Sequence, residues 1–183
     1  MQKIILTFGM ISGLVTFTVF VVGARMAIRG GSAEASGVLG YLIMLVALSV
    51  IFFGIKRYRD RELGGVIRFG KAFLVGLGIS AFAGVIYVIS WEIYLKSTDY
   101  TFIGEYTQAV VEGKRAAGMA SEELEELIAS MKTMEETISN PLFRLPIAFL
   151  EIFPFALIIS LISAALLRNS KFLPASARDS ATP

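Results

Sequence analysis

The sequence predicts an all-α integral membrane protein with four transmembrane helices and an extracytoplasmic helical hairpin between the third and fourth. Three observations lead there. The composition is 55% hydrophobic and only 17% charged, outside the ordinary range of soluble domains. The apolar residues gather in four blocks, at about 4–24, 38–55, 72–95 and 145–167, each near the roughly 20 residues that cross a roughly 30 Å hydrocarbon layer as a helix. Charge is segregated between the connecting segments, basic between the second and third blocks and acidic between the third and fourth. One membrane domain over 1–171 follows, with 172–183, rich in small residues and proline, as a disordered cytoplasmic tail.

Block one begins directly after Met1-Gln2-Lys3, but it is long and lacks a convincing small-residue cleavage site, so it reads as a retained helix rather than a signal peptide. Gly9 and Gly13 stand four apart in it, a spacing that lets another helix backbone approach closely. Block two is the shortest of the four and has glycines near both ends, Gly40 and Gly54. The segment KRYRDRELGGVIRFGK follows, with Lys56, Arg57, Arg59, Arg61, Arg68 and Lys71 against Asp60 and Glu62. By the positive-inside rule it is a cytoplasmic loop and puts both termini in the cytoplasm. Such a loop acts as a topology determinant touching anionic lipid or forms a dedicated lipid or nucleic-acid site; it lacks the glycine order of a nucleotide phosphate loop. No nucleic-acid partner is expected.

Block three carries Ala72, Gly76, Ser80 and Gly84 at four-residue intervals, a smooth stripe that suits either a seam with a second copy or packing within the bundle. The insert at 99–140 reads as two helices. Asp99 is a candidate cap for the first and Ser121 for the second, which sets Leu124, Leu127, Ile128, Met131, Met134 and Ile138 on one face. Asn140 followed by Pro141 is a start signal for the last helix, with Asn as cap and Pro at the first helical position.

Cysteine and histidine are both absent, which excludes disulfides, thiolate catalysis, the common zinc arrangements and haem ligation through those residues. Glu122, Glu123, Glu125 and Glu126 splay around a helix rather than converge, and no calcium-loop pattern is present, so neither a metal nor another cofactor is expected. The polar residues that invite a functional reading lie in the membrane blocks. Glu151 and Pro154 sit near the outer end of block four, where the proline strips the carbonyl four residues earlier of its usual hydrogen bond. Glu92 lies at about the same depth in block three, and Arg144 precedes Glu151 on the same helical face. A carboxylate beside freed backbone is a pattern that binds ions or protons in discontinuous helices; it also suits a hydrogen bond that fastens a bundle.

The stretch ELGGVIRFGKAF at 62–73, the Trp91-Glu92 pair, and NPLFR followed by Glu151, Phe153 and Pro154 occur in an order that resembles the bacterial membrane family DUF4199. The resemblance covers nearly the whole chain. It implies a four-span protein of a bacterial inner membrane and carries no activity with it. Together these readings point to a non-enzymatic membrane protein of structural or assembly type, associating with itself or with a membrane partner. The alternative is a small ion or proton transporter or channel with its carboxylate site at Glu151.

Overall fold

The computed structural model describes residues 1–29 and 49–175. These residues form six helices. They are α1 (Gln2–Ile28), α2 (described over 49–62), α3 (Phe69–Ser97), α4 (Thr101–Ala116), α5 (Ser121–Ser139) and α6 (Pro141–Leu167).

Among the described residues three helices, α1, α3 and α6, are long and apolar enough to cross a bilayer. The expected clean four-span bundle, with its hairpin between third and fourth spans, is therefore corrected. The described part of the second block does not qualify, and the reason is physical. It covers 14 residues, 49–62, and its last seven include Lys56, Arg57, Arg59, Asp60, Arg61 and Glu62, so its apolar stretch is far short of a hydrocarbon layer. The remainder of that block, 38–48, lies outside the described residues, as do the tail residues 176–183. The helices α4 and α5 come between the second and third of the candidate spans.

Helix α3 is the centre of the bundle, and both α1 and α6 pack along it. Small residues make that approach possible. A Cβ on Gly9 would meet Phe82 at 2.9 Å, and one on Gly13 would meet the Ala83 carbonyl at 2.6 Å, so this pair seats α1 on α3. On another flank of α3, Ala72, Gly76, Ser80 and Gly84 turn toward α6, where a Cβ on Gly76 would meet Ser160 at 2.8 Å and one on Gly84 would meet Phe149 at 2.6 Å. Ala72 and Ser80 are fully buried. Both small-residue stripes are thus occupied within one chain. At the centre of the α3–α6 seam the Ser80 and Ser160 hydroxyls are 2.9 Å apart, and each lies within hydrogen-bond distance of the carbonyl of the residue four before it, Gly76 and Ala156, so that two protons serve three contacts.

Helix α2 packs at one end of this assembly through Ile51, Ile55 and Tyr58. It ends at a turn where Gly64 (φ 62°) and Gly65 (φ 91°) take left-handed backbone, and the Gly65 amide donates to the Arg59 carbonyl at 2.9 Å. At the same end the amino terminus bonds Glu62 at 2.7 Å.

At the other end α4 docks through Phe102, buried against Ala24 and Leu95 beside Trp91 and Tyr94. Its start differs from the expected Asp99 cap. Asp99 and Tyr100 both take positive φ, 48° and 59°, and no side chain caps the helix. Likewise Ser121 is the first residue of α5 rather than its cap. The Asn140 start signal does operate, its side chain accepting from the Leu142 amide at 3.0 Å. The apolar stripe of α5 has no buried residue, and Ile128 is exposed.

Candidate functional site

The described helices carry three polar constellations, and each is built from a different part of the sequence. The first joins α3, α5 and α6. Arg144, one turn into α6, is buried, and its guanidinium grips Glu92 of α3 with two parallel bonds, Nε to Oε1 at 2.5 Å and Nη2 to Oε2 at 2.9 Å. Its Nη1 donates to the Ile138 and Ser139 carbonyls at 2.8 and 3.2 Å, which supplies partners for the end of α5. The Tyr100 ring lies 5.3 Å from the guanidinium carbon. A bidentate pair with every guanidinium nitrogen engaged is the geometry of a fastening between helices.

The second lies beside it on the ends of α1, α3 and α4. Arg25 donates to the Tyr94 hydroxyl at 2.6 Å and pairs with Glu105 at 3.1 Å, while its guanidinium carbon stands 5.1 Å from the Phe102 ring centroid.

Glu151 joins neither group. It is exposed on the outward face of α6, among Ile147, Leu150, Phe155 and Ile158, which are exposed as well. Among the described residues it has no hydrogen bond or ion-pair partner. The buried face of α6 runs instead through Arg144, Ala148, Ile152, Ala156 and Ser160, four apart each time, which leaves Glu151 one residue off that line. Pro154 does not break α6, which continues as helix to Leu167. Of the four residues singled out in the spans, Glu92 and Arg144 are brought together, whereas Glu151 and Pro154 are exposed and stand outside that pair.

The third constellation was not legible as such. Arg59, in the basic run, is wholly buried. Its Nε bonds the Asp60 carboxylate at 2.6 Å, Nη1 donates to the Phe172 carbonyl at 2.9 Å, and Nη2 donates to the Leu173 carbonyl. The chain beyond α6 is thereby pinned to α2, and Phe52 adds an edge contact with Phe172. Lys56 reaches the other Asp60 oxygen at 2.5 Å. Burial works to raise the Asp60 carboxyl's affinity for a proton, but the hydrogen bonds from Arg59 and then Lys56 outweigh it and hold the group below the usual carboxylate range. The Lys56–Asp60 spacing of four was the available signal. Arg57, Arg61, Arg68 and Lys71 remain exposed, and the Lys71 ammonium stands 5.8 Å from the Tyr58 ring.

Between α1 and α2, near the same end, lies an open cleft of about 210 Å³ lined by Phe8, Phe53, Lys56, Arg57, Asp60 and Arg61. Among the described residues no cluster of three or more acidic side chains is placed to hold a metal ion. A family described as protein of unknown function, DUF4199, matches residues 7–169. No curated protein and no solved structure matches the chain significantly.

Proposed function

Since the chain belongs to the DUF4199 family, whose function is unknown, we propose from its own surfaces a multi-span membrane protein that works by association rather than catalysis. The observation that carries this reading is Glu151, a carboxylate exposed on the outward face of a candidate span. Facing hydrocarbon it would be costly, so a donor from another membrane helix is its natural partner. The small-residue stripes are consumed by α1–α3 and α3–α6 packing, which turns attention from them to the α6 outward face as the association surface. In a bacterial inner membrane, the excess of positive charge around α2 would set that end, with the amino terminus, on the cytoplasmic side.

The test is energy transfer between labelled copies, and between labelled chain and co-reconstituted membrane extract, in lipid bilayers. Glu151→Gln should weaken the transfer and Glu151→Leu should abolish it while the helical content stays unchanged. Transfer that is absent in the native chain, or indifferent to both substitutions, overturns association through α6. An ion or proton flux in liposomes that disappears in Glu151→Gln would instead favour transport.

A further inference from the structure

We infer that the cleft between α1 and α2 seats an anionic phospholipid, with the lipid phosphate on Lys56, Arg57 and Arg61 and an acyl chain along Phe8 and Phe53. Depth supplies the first argument. The amino terminus bonds Glu62, so the start of α1 and the end of α2 are level. Phe8 is seven residues along α1 from that level and Phe53 nine residues back along α2, placing both rings about 10 to 14 Å deeper. The cationic side chains come from the intervening turn of α2. The cleft is therefore apolar toward the middle of the bundle and cationic toward its end, the polarity of a phospholipid crossing from acyl chain to headgroup. Phe53 is 57% exposed, so its ring meets whatever fills the surrounding layer.

Charge supplies the second argument. Asp60 lines the cleft, but its two oxygens are engaged by Arg59 and Lys56, which cancels its repulsion of an anion and holds the Lys56 ammonium in place. Arg57 is exposed and has no ion-pair partner among the described residues. A positive excess stays at the rim, where the basic side chains favour a phosphate with net negative charge over a zwitterionic headgroup. Free phosphate shares the chemistry of the headgroup, but two phenyl walls have nothing to offer it.

The experiment uses the full chain in mild detergent, with phosphatidylglycerol, phosphatidylcholine or inorganic phosphate added separately and retained ligand read by native mass spectrometry. Phosphatidylglycerol should be retained in preference to phosphatidylcholine. Arg57→Gln, which leaves the Lys56–Asp60 pair intact, should lower that affinity about fivefold, the effect of one surface charge on anionic lipid. The charge-matched control Arg68→Gln, outside the cleft, should leave it unchanged. Phe53→Ala keeps every charge and should also lower retention. Equal retention of the two lipids overturns the proposal, as does an Arg57→Gln effect no larger than that of Arg68→Gln. Retention of inorganic phosphate that is indifferent to Phe53→Ala would mark a free-anion site and overturn the lipid assignment.

Discussion

Among single residues, Arg144 and Arg59 show how differently a buried guanidinium can be used. Arg144 balances its charge against Glu92 and spends its remaining donors on the last carbonyls of α5. Removing the acid strands a buried cation, so Glu92→Ala should destabilise the protein by on the order of 3 kcal/mol, measured by reversible unfolding in mixed micelles. Glu92→Gln should cost less, because the amide oxygen still accepts one bond. Arg59 takes its neutralising charge from its own neighbour, Asp60. Asp60 is held below the ordinary carboxylate range, so its contribution is present above the unfolded value of about 3.9 and is lost as pH falls through the lowered folded value. Acidification across that window should therefore expose the amides of 168–175 to hydrogen exchange, and Asp60→Asn should bring the same exposure at neutral pH. Glu92 and Arg144 were readable as a polar set because charges are rare in apolar blocks. Arg59 was not, since six basic residues in one short segment look alike until the backbone carbonyls of residues 172 and 173, over a hundred positions away, single one out.

For whole helices, spacing in the sequence revealed contact but not its partner. The four-residue stripe on α3 and the Gly9/Gly13 pair on α1 had to meet another backbone, and periodicity cannot say whether that backbone belongs to the same chain. The distances around Gly13 and Gly84 answer it. Gly84→Leu should collide with the Phe149 ring and lower the unfolding temperature, with the oligomeric mass of the surviving folded fraction unchanged. The α4–α5 pair is the weakest attachment, since Phe102 is its one buried side chain. Phe102→Ala should cost about 3 kcal/mol and make the junction at 117–120 the first site of limited proteolysis. Its amphipathic pattern was plain in the sequence. The unmade caps at Asp99 and Ser121 were not, because local backbone at Tyr100 and Ala120 carried the turns instead.

For the molecule as a whole, composition and block length identified an α-helical membrane protein and the positions of α1, α3 and α6. The count of spans was the error. The helix over 49–62 continues straight into six charged residues, of which Arg59 and Asp60 are buried in a packed junction with the chain after α6. The bundle has two unlike ends. One gathers Met1, Glu62, Arg59 and the chain after α6, and the other gathers Arg25, Glu105, Glu92 and Arg144. Cysteines placed at Glu62 and Lys171 should accordingly share one pattern of accessibility to a membrane-impermeant thiol reagent in intact vesicles, and cysteines at Glu105 and Ser121 the opposite pattern.

The Arg59 junction also bears on the order of synthesis. A nascent chain reaches residue 59 long before residues 172 and 173 exist, so the guanidinium that ends buried must wait in a hydrated setting while α3 to α6 are made. The last turn beyond α6 then acts as a clasp, closing an early part of the protein only after α3 to α6 have been made, and a chain cut short at residue 170 should persist in the membrane as an open, protease-sensitive form.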